Sequence, residues 1–156
     1  MIAPGYKANM GDMAAAIGIE QLKKATTFWE LRQHCAERYT EGLSRVPAVQ
    51  TPSVRDSVRH AWHMYVVQLR MEELRISRDE FSLQLDQMGI ENSVHYRPLH
   101  LHSYYRRAFG YAAQDLPAAT AAYDRVLSLP IFPGLTDVQI DQVIESVAIL
   151  AKKYRR

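Results

Sequence analysis

Between residues 12 and 46 the apolar positions Ala14, Ile17, Leu22, Leu31, Cys35, Tyr39, Leu43 and Val46 fall mostly three or four residues apart, the period of one helix face. Pro47 ends the pattern, because it has no N–H for the helical ladder and its ring crowds the preceding turn. The stretch exceeds an ordinary globular helix. Within it, Thr27-Phe28-Trp29-Glu30 has the spacing of a capping box, in which a hydroxyl and a glutamate satisfy each other's backbone N–H, so two segments broken near residues 25–27 are predicted. Residues 50–59, with Pro52 and mixed charge, read as an extended connection. From Trp62 to Leu69 the composition turns aromatic and β-branched and predicts a strand. Alternation would put Trp62, Met64 and Val66 on one face and His63, Tyr65 and Val67 on the other.

A second unit follows. Ser77-Arg78-Asp79-Glu80 is another capping box, Phe81, Leu85 and Met88 recur at helical spacing, and Gly89 stands where a helix end favours positive φ. Residues 90–97 predict a strand stopped by Pro98. Short helices are expected over 103–109, closed by Gly110, and over 117–126, with Pro117 in the first turn. Residues 129–134, stiffened by Pro130 and Pro133, read as an extended connection. Thr136-Asp137-Val138-Gln139 caps a final helix whose Ile140, Val143, Val147, Leu150 and Tyr154 make one apolar stripe. No internal repeat or low-complexity tract occurs. Helices alternate with strands too few for a doubly wound sheet, so the expected fold is α/β: a single domain over 1–156 in which helices cover a short antiparallel or mixed sheet.

Composition narrows the function classes. With 156 residues, 47% of them hydrophobic and 23% charged, the chain has the make-up of one soluble domain. A formal charge of +2 gives no global field for nucleic acid or an anionic membrane. The tail Lys152-Lys153-Tyr154-Arg155-Arg156 reads as cations complementing a helix C-terminus, and Tyr104-Tyr105-Arg106-Arg107 lacks the recognised RNA-binding signatures. The single cysteine, Cys35, falls on the apolar helix stripe and cannot form an internal disulfide. Residues 1–4 lack a leader pattern and no run approaches a membrane span, so a cytoplasmic protein is expected.

Four segments carry a more specific signal: Gly5-Tyr6-Lys7-Ala8-Asn9-Met10-Gly11-Asp12-Met13-Ala14-Ala15-Ala16-Ile17-Gly18, His60-Ala61-Trp62-His63-Met64-Tyr65, Val94-His95-Tyr96-Arg97-Pro98-Leu99-His100 and Leu127-Ser128-Leu129-Pro130-Ile131-Phe132-Pro133. In this order they resemble the C-terminal, small domain of the DegT/DnrJ/EryC1/StrS family of pyridoxal-phosphate-dependent nucleotide-sugar aminotransferases. The resemblance implies the small domain of a fold-type-I enzyme, with residues 1–46 as the linking, dimer-facing segment and the N-terminal cofactor domain absent. It also implies amino transfer from a glutamate-like donor to a keto sugar nucleotide, and a homodimer or other self-association. Asn9 would reach across the dimer to the cofactor phosphate of the other subunit, an amide being able to donate there without adding charge. Lys7 would be at most a secondary anion contact. His95, Tyr96 and His100 would border the substrate side of the active-site cleft. Gly11, where relatives often carry Thr or Ser, is expected to cost a helix cap, and Asn92-Ser93 to alter the cleft's lip.

A Schiff-base lysine, an acidic partner for the pyridine nitrogen and phosphate donors are what such a cofactor requires. The lysines Lys7, Lys23, Lys24, Lys152 and Lys153 do not match the family's Schiff-base motif, so no catalytic residue is assigned and pyridoxal phosphate is not expected to bind this chain covalently. His95 and His100 lack a third ligand, and no metal site is expected. His60 and His63, flanking Trp62, are read as structural. Two alternatives remain open: a sugar dehydratase of the same family, and a catalytically silent dimerisation or interaction module.

Overall fold

The computed structural model describes residues 9–156. Helices α1 (Asp12–Leu22) and α2 (Ala25–Leu43) open the chain, followed by strands β1 (Val49–Gln50) and β2 (Tyr65–Leu69) and helix α3 (Arg78–Gln87). Then come α4 (Ser103–Phe109), α5 (Pro117–Tyr123), strand β3 (Val126–Leu129) and the long α6 (Asp137–Lys153). The strands form one antiparallel sheet in the order β1-β2-β3, with Val49 opposite Leu69 and Val67 opposite Leu127. Helices α2 and α3 pack against α6, and α3 reaches β3. The predicted architecture of helices on a short sheet is therefore the observed one, with the sheet antiparallel.

Alternation along β2 turns Tyr65, Val67 and Leu69 inward, where they meet Leu127 and Leu129 of β3. Helix stripes close this core: Tyr39 and Leu43 from α2, Phe81 and Leu85 from α3, and Ile140, Val143, Val147 and Leu150 from α6. Each large apolar side chain so buried stabilises the fold by about 1.5–3 kcal/mol before entropy is counted. Cys35 is part of the same core, and burial pushes its thiol up to about 11, which keeps it neutral. Gly42 brings α2 close to α6: a Cβ there would lie 2.8 Å from the Ile144 side chain. At the far edge of this contact the His34 imidazole donates to Asp137 Oδ1 at 2.8 Å, and Arg38 pairs with Asp137 at 3.1 Å and with Asp141.

Several expectations are corrected. The helix restarts at Ala25, within the expected 25–27, but the Thr27–Glu30 capping box does not form: Phe28 N–H already bonds Lys24 O at 2.9 Å. Gly11 precedes α1 without a side-chain cap, as expected for that residue. Trp62 adopts φ 49°, which takes it out of β2 and swings its ring onto the core face, 5.7 Å from Tyr65, despite its opposite parity. Residues 90–97 do not make a strand. Asn92 is bound to α3 through Ser82 and Asp86, leaving a single antiparallel bridge between Ser93 and Ser128 on the outer edge of β3. The sheet takes residues 126–129 instead, because α5 ends at Tyr123 and the β-branched, leucine-rich run after it pairs with β2. Val49–Gln50, at the start of the expected extended connection over 50–59, forms the third strand.

Candidate functional site

A cleft of about 520 Å³ opens beside the outer edge of β3, with one wall from Glu91–Ser93, His95 and Tyr96 and the other from residues 128–132, and His63 and Met64 at its end. Its second wall is held by polar contacts, most of them partly buried. Tyr39 donates its hydroxyl to Pro130 O at 2.9 Å. Arg32 Nη1 donates to Ile131 O at 3.0 Å, to Trp62 O at 3.0 Å and to His63 O at 3.3 Å, so one guanidinium joins α2, the turn before β2 and the segment after β3. Burial pushes the Tyr39 phenol well up and the Tyr65 phenol up to about 12, so both serve the fold as neutral groups.

The first wall is fixed from α3. Asn92 Oδ1 accepts from Ser82 Oγ at 2.6 Å while its Nδ2 donates to Asp86 Oδ1 at 2.8 Å and to Ile90 O at 3.2 Å. Ser93 then pairs with Ser128 through both backbone groups. His95 follows, half-buried, with Nδ1 2.8 Å from Ser128 Oγ and the Ser93 hydroxyl against its ring, 3.1 Å from Nε2 and 3.2 Å from Nδ1. Tyr96 packs its ring edge-on against His95 at 4.9 Å but is 75% exposed. The cleft therefore offers an imidazole, a phenol, the Ser93 hydroxyl and the Glu91 carboxylate around an apolar floor, a mix of donors and acceptors suited to an oxygen-rich ligand.

Of the residues singled out from the sequence, His95 and Tyr96 line this cleft and His100 does not. His100 is 3% exposed, its Nε2 3.0 Å from Thr120 Oγ1, and it joins the turn at Leu99–Leu101 to α5. The turn after Pro98 points it inward rather than back toward His95. Asn9 lies exposed just before α1, remote in sequence from both cleft walls; Lys7 lies outside the described residues. His60 accepts the Trp62 N–H on Nδ1 at 3.0 Å, a local structural pairing, while His63 is at the end of the cleft. Ser128 and Arg32 escaped the sequence reading. Ser128 lay within a quoted segment, but nothing in a one-dimensional pattern pairs it with a histidine 33 residues earlier.

A larger cleft, about 750 Å³, lies between α2 and residues 52–62, lined by Trp29, Trp62 and Glu37 among others, with the Arg59 guanidinium stacked 3.8 Å over Trp29. No group of three or more His, Cys, Asp or Glu side chains is arranged for a metal among the described residues. No helix among them is long and apolar enough to cross a membrane.

Comparison with known proteins gives this geometry a lineage. The model of the DegT/DnrJ/EryC1/StrS aminotransferase family matches residues 1–148. The chain belongs to that family. It is 42% identical over 151 residues to the spore coat polysaccharide biosynthesis protein SpsC of Bacillus subtilis, covering 96% of this chain and 39% of that protein. Among solved structures, the sugar aminotransferase Spr1654 of Streptococcus pneumoniae in its PLP form superposes with a TM-score of 0.85 at 27% identity, over 97% of this chain and 38% of that one. DesV of S. venezuelae, solved in complex with a ketimine intermediate, superposes with a TM-score of 0.82 at 30% identity, over 97% and 39%. The chain thus spans about two fifths of the length of these relatives.

Family members bind pyridoxal phosphate, and this chain's residues can be tested against that group. Lys23 and Lys24 are exposed at the α1–α2 turn, Lys152 and Lys153 stand at the end of α6, and none lines either cleft described above. The described residues do not assemble a pyridoxal-phosphate site by themselves. A phosphate contact from Asn9 would need the rest of the site to be supplied by other polypeptide.

Proposed function

We propose that this chain acts as the C-terminal domain of a nucleotide-sugar aminotransferase, forming the substrate-side wall of an active site whose cofactor is held by the family's large domain. The observation that supports this reading most is the family match over residues 1–148 together with His95 and Tyr96 lining a cleft beside β3. In this reading His95 and Tyr96 bind and orient a keto sugar nucleotide and a glutamate-like amino donor, and the apolar floor at Ile131 and Phe132 excludes water from it. Bound pyridoxal phosphate would supply the electron sink for amino transfer. Asn9 would donate its amide to the cofactor phosphate of the opposite subunit in a homodimer, with the exposed α1 in the linking, dimer-facing segment. His100 serves the fold of the surrounding wall.

The compartment in this reading is the cytoplasm, with which a buried, unoxidised Cys35 is compatible. The chain alone should not transaminate, and added pyridoxal phosphate should give no borohydride-fixed lysine adduct at a defined position. The test is co-expression with a cofactor-domain polypeptide of the family, followed by an assay of amino transfer from glutamate to a keto sugar nucleotide. Loss of water from the sugar in place of amino transfer would move the assignment to a dehydratase.

A further inference from the structure

We propose that Ser128 is a positioning residue that holds His95 in its Nε2–H tautomer, making the histidine a hydrogen-bond donor to an oxygen of the ligand bound beside β3. The proposal rests on the reading of this cleft as a substrate site. Ser128 is 6% exposed on β3. Its backbone is fully engaged: the N–H donates to Ser93 O at 2.8 Å and the carbonyl accepts from Ser93 N–H at 3.2 Å. The hydroxyl is therefore superfluous to the sheet. Its partner is His95 Nδ1, at 2.8 Å.

Two proton arrangements satisfy that distance. If Nδ1–H donated to the serine oxygen, the serine proton would be left inside the protein without an acceptor, at the cost of a buried unsatisfied donor. If the hydroxyl donates to the Nδ1 lone pair, both groups are satisfied, and the imidazole proton sits on Nε2. The second arrangement is the one this wall selects. Ser93 Oγ lies 3.1 Å from Nε2 and 3.2 Å from Nδ1, which puts it against the face of the ring and outside the plane in which either nitrogen bonds. His95 lines the cleft, so its Nε2–H is left for a ligand hydroxyl or carboxylate. Ser128 is buried, so the ligand does not displace it.

The test is long-range 1H–15N correlation of the imidazole rings in the 15N-labelled full chain at about pH 8, above the ordinary histidine range near 6.5. The His95 signals are assigned by their loss in His95→Gln. The expected wild-type spectrum has Nε2–H as the main neutral form. Ser128→Ala should lower the ratio of Nε2–H to Nδ1–H by roughly 2- to 10-fold, the equilibrium equivalent of one ordinary hydrogen bond. Ser128→Thr should restore the ratio, and Ser93→Ala should leave Nε2–H as the main form. A wild-type ring mainly in the Nδ1–H form overturns the proposal without recourse to any variant. So does a Ser128→Ala chain that folds, by its amide spectrum, with an unchanged ratio. The tautomer is read in the absence of activity, so failure here is separate from failure of the aminotransferase reading. That reading fails if the reassembled enzyme transfers no amine while the tautomer is as stated.

Discussion

Tyr39 has no exposed surface, and its hydroxyl reaches across 91 residues of sequence to the carbonyl of Pro130, at the base of the cleft wall. Tyr39→Phe removes the donor and strands a carbonyl, so it should cost about 1–3 kcal/mol in urea unfolding with an unchanged m-value. Asp137 makes a contrasting case at the surface. Hydrogen bonding from the His34 imidazole, helped by the nearby Arg38 charge, holds its carboxyl below the usual range. A depressed folded-state value means that the contribution is complete above the ordinary carboxylate range near 4 and is lost as pH falls through the depressed value. Melting temperature should therefore be insensitive to this group from pH 7 to 5 and fall below about pH 4. Asp137→Asn should lower the melting temperature at pH 7 and flatten that acid limb. Some slope should remain, since Glu80, held low by the Ser77 backbone N–H and hydroxyl, titrates in the same direction. An unchanged acid limb in Asp137→Asn would remove the His34–Asp137 pair from the account. Neither contact was legible in the sequence, because both join residues about a hundred positions apart that only the packing of α2 brings together. His95 and Tyr96 were legible as candidates because they sit in a local motif; His100 shared the motif, and the turn after Pro98 sent it elsewhere.

At the scale of elements, what could be read depended on whether the signal was local. The capping boxes at Ser77 and Thr136 form as their spacing predicts, each with its reciprocal pair of bonds. Thr136→Ala should thus cost about 1 kcal/mol of stability, measured by denaturant unfolding. The similar spacing at Thr27 fails because α2 starts two residues earlier, at Ala25, and already places it inside the helix. Strand positions were read less well. Residues 90–97 have the composition of a strand, but the side-chain bonds of Asn92 to α3 leave only Ser93 in register with β3. Trp62 has the composition too, yet its left-handed backbone keeps it out of β2. The α2–α6 contact supplies a sharper test of packing. Gly42 faces Ile144 so closely that Gly42→Val must displace that side chain, and the variant should lose about 1–3 kcal/mol even after its modest gain in helix propensity. A neutral or stabilising result would mean that α6 can slide on α2.

For the whole molecule, the fold class was legible because four motifs occur in order and because the apolar stripes of α2, α3 and α6 match one short sheet. The apolar face of the first helix, Ala14, Ile17 and Leu22, has no obvious partner in so short a sequence, and among the described residues none of α1 is buried: Ile17 is 65% and Leu22 75% exposed. An 11-residue helix with no packing is marginal by itself, and the chain spans about two fifths of its relatives' length, so this face belongs, in the present account, against the large domain. In the isolated chain, Ile17→Glu with Leu22→Glu should reduce self-association in sedimentation while leaving the melting temperature unchanged; a large loss of stability would mean that α1 packs on its own domain. The account's central claim is that this chain supplies the substrate-side wall of an aminotransferase. The most direct measurement is glutamate-dependent amination of a keto sugar nucleotide by the chain co-purified with a cofactor-domain polypeptide, with cofactor titration beside the kinetics. The account predicts amino transfer, a raised KM or lowered kcat for His95→Ala at unchanged cofactor affinity, and for Asn9→Ala a loss of roughly tenfold to a hundredfold in cofactor affinity, about 1.5–3 kcal/mol. A complex that binds pyridoxal phosphate but transfers no amine, or one in which His95→Ala loses cofactor while Asn9→Ala keeps it, would contradict it.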